Sequence, residues 1–248
     1  MDQRDARILC GLLLSKYGDE AVESLGFDSY AEAYNVLGSA LDAPPMTIKN
    51  YRDELDPYFP NQRKGWHQRT LRKHTADVLA QYGALPLADL SGMVKTLFDP
   101  VADIPDIPEP EELEEPSNQT AFAKRLITGR AAEGFFRTNY REREELASGI
   151  LVDTTSFGCG FDFRVNFPNS EAFCAVEVKG MFEDAGPIML TDKEHRRAAQ
   201  LGDRYFLYVV RGFRETPFAS IWRNPLESDL KWELLSRQLT VTSWRSTI

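Results

Sequence analysis

Between Asp99 and Pro116 the chain reads DPVADIPDIPEPEELEEP, and this segment constrains the fold more than any other. Repeated proline removes backbone donors, while carboxylates of like charge repel one another, so an extended spacer is favoured over a packed element. Three portions are therefore expected: 1–97, an acidic proline-rich linker at 98–118, and 119–248. The segment also explains the overall charge of −9. Residues 98–118 hold 8 Asp/Glu and no Lys/Arg, whereas 1–97 hold 11 Lys/Arg against 13 Asp/Glu and 119–248 hold 18 against 17. Away from the linker the charge is nearly balanced, and an anionic partner such as nucleic acid is not excluded.

An apolar share of 42% suits a buried core and argues against wholesale disorder. No apolar run approaches the ~18 residues that a membrane-spanning helix needs. The opening MDQRDAR lacks the basic-then-apolar order of a signal peptide, so a cytoplasmic protein without membrane attachment is expected. Three cysteines without a CxxC pair and only three histidines give no support to a disulfide framework or a structural zinc site.

The first portion reads as helical. Ile8, Leu12 and Leu13 recur at helical spacing within 4–17, a second helical stretch covers 30–41, and Ala43-Pro44-Pro45 breaks the chain before a third at 47–55. A small all-α domain is expected. Its stretch from Pro45 to Arg52 has the pattern of the second helix of a helix-turn-helix, with Ile48, Tyr51 and Leu55 inward and Lys49, Asn50 and Arg52 outward. Arg63, Lys64, Arg69, Arg72 and Lys73 then fall within eleven residues that contain no acid and that include Trp66 and His67. These eight polar and basic residues are the candidate DNA contacts, since a basic run with an aromatic suits a phosphate-tracking surface.

After the linker, 119–143 reads as a helix and the texture then changes. Runs at 150–156, 161–167 and 172–179 are short, β-branched or aromatic, and separated by Gly158, Gly160 and Pro168-Asn169-Ser170, as consecutive antiparallel strands would be. A helix is expected from near Thr191, and Tyr205–Arg211 (YFLYVVR) suits a strand buried on both faces.

Chemistry concentrates on those strands. Asp162 follows Gly160-Phe161, and fifteen residues later comes Glu177-Val178-Lys179. Side chains alternate along a strand, so Glu177 and Lys179 share a face and a neighbouring strand brings Asp162 beside them. Two carboxylate oxygens suit Mg²⁺, and a lysine beside them suits stabilisation of charge on a phosphorus centre. An E-x-K tripeptide arises by chance roughly once in a chain of this length, so the weight rests on the preceding Asp and the strand order. Glu133 stands out in an otherwise small and apolar stretch, with Arg130 and Arg137 at helical pairing distance. Thr191-x-x-Glu194 has the form of a capping box, and His195, Arg196, Arg197 and Gln200 follow on the same helix.

Taken together, Gly129-Arg-Ala-Ala-Glu133, Gly160-Phe-Asp162, Val176-Glu-Val-Lys179-Gly180, Leu190-Thr-x-x-Glu194 and Asp203-Arg-Tyr205 resemble the PD-(D/E)XK nuclease superfamily, in particular its Mrr-like and restriction-endonuclease-like domains of bacterial restriction and phage-defence proteins. The resemblance covers about 119–212. It implies an α/β fold with a central mixed sheet flanked by helices, and Mg²⁺-dependent cleavage of DNA with Mn²⁺ able to substitute. It also implies a catalytic set of Asp162, Glu177, Lys179 and Glu133, with Asp162, Glu177 and the Val178 carbonyl as metal ligands. The first acid lacks the proline of the superfamily's short motif. A restriction or defence endonuclease acting on double-stranded DNA is expected, as a homodimer at least on DNA because two strands need two active sites. A non-cleaving DNA-binding or scaffold protein, and a nuclease for RNA or branched DNA, are the competing expectations.

Overall fold

A computed structural model describes residues 1–63, 65–66, 69–98, 119–168 and 170–235, with side chains between 119 and 122 left aside. The expected linker beyond Phe98, Lys64, His67 and Trp244 lie outside the described residues.

Among the described residues of the first part there are six α-helices, α1 (Gln3–Tyr17), α2 (Asp19–Ser24), α3 (Tyr30–Ala40), α4 (Pro45–Leu55), α5 (Lys73–Tyr82) and α6 (Leu87–Thr96), and a 3-10 turn at Asp56–Tyr58. The expected helical stretches correspond to α1, α3 and α4; α2, α5 and α6 are additional. Helix α1 is central because Ile8, Leu9, Leu12, Leu13 and Leu14 bury all round it, the pattern of a helix surrounded by others. Asp2 caps it, its carboxylate accepting from the Asp5 amide at 2.8 Å.

The second part begins with α7 (Gln119–Asn139), followed by β1 (Ile150–Asp153), β2 (Phe163–Asn166), β3 (Phe173–Gly180), α8 (Asp192–Leu201), β4 (Tyr205–Arg211) and β5 (Phe218–Arg223). The strands form one mixed sheet in the order β1-β2-β3-β4-β5, with β3 and β4 parallel and the other neighbours antiparallel. The parallel pair needs a crossover, and α8 supplies it. Helix α7 covers one face, where the Phe136 ring lies 5.0 Å from that of Phe163 and 4.9 Å from that of Tyr208. Helix α8 covers the other, with Ala198 over Ala175 and Tyr205. Strand β4 is buried from Tyr205 to Val210, as its continuous apolar run requires. The hairpin partner β5 was not among the expected strands. The fold is α/β, with a helical part attached.

One apolar core runs from α1 and α3 through Ala131, Ala132 and Phe136 of α7 to Val176, Val178 and Tyr208 of the sheet. At the α3–α7 crossing a Cβ on Gly134 would stand 1.8 Å from the Ser39 carbonyl oxygen, so only glycine permits this approach. Asn35 adds polar stitching, donating to the carbonyls of Phe213 at 2.9 Å and Glu215 at 2.7 Å. Lys124 reaches buried Glu32 at 3.1 Å.

Candidate active site

Strand β2 begins one residue after Asp162, yet the ladder reaches it: the Asp162 amide donates to the carbonyl of Val176, the residue paired with Phe163, at 3.1 Å. Beyond that rung β2 provides no partner, and the Val178 amide, turned to the same side as the Val176 carbonyl, donates instead to Asp162 Oδ2 at 2.8 Å. The Val178 carbonyl faces that same vacated side. Thus the expected trio of Asp162, Glu177 and Val178 backbone is brought together where one strand stops and its neighbour goes on.

Glu177 and Lys179 point to the α8 face, and Lys179 Nζ lies 2.9 Å from Glu177 Oε1. A second carboxylate holds the same ammonium: Glu194 Oε2 is also 2.9 Å away. Glu194 sits in the first turn of α8, accepting from the Thr191 amide at 3.0 Å while its own amide donates to Thr191 Oγ1 at 3.3 Å. The capping box expected from Thr-x-x-Glu is present, and its glutamate reaches the site as well. Capping alone left this second use of Glu194 unread; the signal was the strand-to-helix spacing that brings the first turn of α8 over β3.

Glu133 approaches from α7, with Arg130 Nη1 at 3.0 Å and Arg137 Nη1 at 3.9 Å. It is paired with its helix neighbours, as the spacing predicts, and its side chain is half-buried and near enough for its charge to act on Asp162. Arg137 also contacts Asp42, after α3, at 3.1 Å and Asp153 of β1 at 3.2 Å.

The electrostatic result is a set of acids that resist ionisation. Burial, then the nearby Glu133 charge, pushes Asp162 from an ordinary 3.8 up to about 7, against the Val178 hydrogen bond and Lys179. Burial followed by Asp162 holds Glu177, only 3% exposed, well above the usual carboxylate range despite its lysine partner. Glu133 is also raised, by burial, with Arg130 and Arg137 opposing. Charges confined together without enough positive compensation are what a cation would relieve. Among the described residues no group of three or more His, Cys, Asp or Glu is arranged to hold a metal ion. Two carboxylates and a carbonyl nevertheless fit Mg²⁺, which commonly keeps several waters and takes one or two carboxylates from the protein.

The candidate DNA contacts of the helical part are placed differently. Lys49 pairs with Asp53 at 2.8 Å; Arg52, expected outward, has a side chain 13% exposed that lies over Tyr30 and Tyr34 and pairs with Asp53 at 2.7 Å. Arg63 holds buried Asp56 at 3.0 Å and the Ser15 carbonyl at 2.7 Å. Arg72 pairs with buried Glu54 and stacks over Tyr51 and Trp66, while Arg69 lies over Trp66. Asn50 is half-buried, and Arg69 and Lys73 are exposed. Three of the candidate arginines therefore serve buried or half-buried acids of their own fold.

The fold and site together define an α/β domain with a mixed five-stranded sheet and an acid–lysine cluster at the junction of β2 and β3. Residues 132–222, which take in the last eight residues of α7 and run from β1 to all but the final residue of β5, match the family described as Protein NO VEIN, C-terminal. No curated protein and no solved structure matches the chain. No helix among the described residues is long and apolar enough to cross a membrane.

Proposed function

We propose that the chain is a divalent-metal-dependent nuclease of the PD-(D/E)XK kind, hydrolysing phosphodiester bonds of double-stranded DNA in a cytoplasmic restriction or phage-defence setting. The observation that carries the reading is Asp162 held between the Val176 carbonyl and the Val178 amide where β2 begins, close enough to Glu177 for the two acids to repel each other. Asp162, Glu177 and the Val178 carbonyl would hold Mg²⁺, with Mn²⁺ substituting. When bound, the ion supplies Lewis-acid charge and lowers the pKa of a coordinated water.

The protein's own groups do the rest. Lys179, held between Glu177 and Glu194, would present a positioned ammonium to the attacking water and the phosphoryl oxygens. Asp162 is fixed by the Val178 amide, which leaves its other oxygen for the ion. Glu133, steadied by Arg130 and Arg137, adds negative charge behind that position. Cleavage of both strands by one such site per chain argues for a homodimer on DNA.

The test is cleavage of mixed-sequence plasmid, methylated and unmethylated, by the full chain with Mg²⁺, with EDTA, and by the Lys179→Ala variant. Discrete fragments that need both the metal and Lys179 support a sequence-specific nuclease. Tight DNA binding without cleavage returns the non-cleaving scaffold reading, and cleavage confined to RNA or branched DNA reassigns the substrate.

A further inference from the structure

Phe157 is the most exposed aromatic side chain among the described residues, at 72%. It occupies the connection between β1 and β2, five residues before Asp162, and that connection is firmly held. The Phe157 amide donates to the Thr154 carbonyl at 3.0 Å, and the Thr155 amide and hydroxyl both donate to Asp153 Oδ1, at 3.1 and 2.7 Å. The Thr154 amide and hydroxyl both donate to the Asp162 carbonyl, at 2.8 and 2.9 Å, tying the base of the loop to the site. Its far side is tied to α8 and β4: Arg197 Nε of α8 donates to the Cys159 carbonyl at 3.0 Å, and the hydroxyl of Tyr205, at the start of β4, to that of Gly160 at 3.1 Å. Gly160, at φ +81°, lies so close to Arg197 and Lys193 that a side chain there would collide with them. The ring is thus held out into solvent by a braced loop with two exposed cations, Lys193 and Arg197, alongside.

A phenyl ring has no hydrogen-bonding group, so it reads no base edge; it offers a flat face. Bases inside a duplex already have both faces covered by their neighbours. A ring beside cations therefore suits a base that has left its stack, with the flanking phosphates on the lysine and arginine. We infer that Phe157 stacks on an unstacked nucleobase next to the cleaved bond, while Lys193 and Arg197 meet the adjoining phosphates. The inference rests on the nuclease reading and adds to it a preference for locally opened or single-stranded sites.

The experiment measures binding in EDTA, without cleavage, of three oligonucleotides carrying 2-aminopurine: a single strand, a fully paired duplex, and a duplex with 2-aminopurine at a mismatch. The full-length wild type, Phe157→Ala and Phe157→Trp proteins are compared, together with their melting temperatures, which should agree because the side chain is exposed. The expected result is quenching by wild type on the single strand and the mismatch. Phe157→Ala should bind these about tenfold more weakly and lose the quench, and Phe157→Trp should keep both. Equal binding and quenching by wild type and Phe157→Ala would overturn the inference. So would an alanine effect on chain association with none on the quench, which would assign the ring to a protein contact. Failure of wild type to bind any of the three overturns it as well. Cleavage of the same oligonucleotides by wild type with Mg²⁺ separates the two ideas. Phe157-dependent quenching without cleavage leaves the stacking and removes the nuclease reading; cleavage without such quenching does the reverse.

Discussion

The helical part and the sheet part each bury carboxylates, and they treat them in opposite ways. In the helical part, burial pushes Glu54 upward, but hydrogen bonds from the Arg72 side chain and backbone outweigh it and hold the group below its ordinary range. Asp53 is likewise opposed by burial and held low by Lys49 and Arg52. In the sheet part, Asp162, Glu177 and Glu133 are raised, because burial and mutual repulsion exceed what Lys179 and the two arginines return. A buried acid with a full set of cationic partners contributes to holding a fold together. One left short of positive charge costs stability, and that cost is the usual mark of a site that works on something.

Four measurements can break or sharpen this contrast. The largest effect is expected at Lys179: if it completes the working site, Lys179→Ala lowers plasmid cleavage about a thousandfold, with a circular dichroism spectrum like that of wild type. Next, Arg63→Ala leaves Asp56 buried without its principal partner and should cost about 3 kcal/mol in urea unfolding; an unchanged midpoint would mean that this pair is not structural. Third, the raised acids give the metal-free protein a characteristic pH dependence. Between about pH 4 and 7 the folded chain holds a proton at Asp162 that the unfolded chain has released, so wild type loses stability as pH rises through that window. Asp162→Asn removes this share of the effect and leaves the part that Glu177 and Glu133 contribute. Its melting temperature in EDTA should exceed that of wild type at pH 8, by on the order of 2 kcal/mol or several degrees, and converge with it near pH 4. Mg²⁺ should narrow the same gap at pH 8 by stabilising wild type and not the variant. The smallest effect belongs to Lys49, whose side chain is 40% exposed and whose half-buried partner Asp53 keeps Arg52: Lys49→Ala should change stability by less than about 0.5 kcal/mol. Any larger change in DNA affinity would then report a contact with DNA itself.

Legibility in the sequence followed the range of the interactions. Local patterns were readable: the helical spacing of Ile8, Leu12 and Leu13, the unbroken apolar run of β4, and the alternation that set Glu177 and Lys179 on one face. Strand β5 was not, because Phe218–Arg223 has no clear alternation and exists as a strand only through its pairing with β4. The basic run from Arg63 to Lys73 looked like a surface for phosphates since its acids come from elsewhere: Asp56 lies seven residues before Arg63, and Glu54 lies eighteen before Arg72. Glu194 was legible as a cap from its spacing alone, whereas its hold on Lys179 depends on the crossover that carries α8 back over the sheet.

The missing side chain at Gly134 has a consequence for engineering. Helix α7 is jointly owned: one flank carries Glu133 toward Asp162, while Gly134 lets the next flank settle on the Ser39 carbonyl of the helical part. A sheet part transplanted without its helices would bring along a glycine with nothing to fit and an uncovered apolar flank. Separating the two parts is therefore expected to lower the melting temperature of the sheet part below that of the full chain.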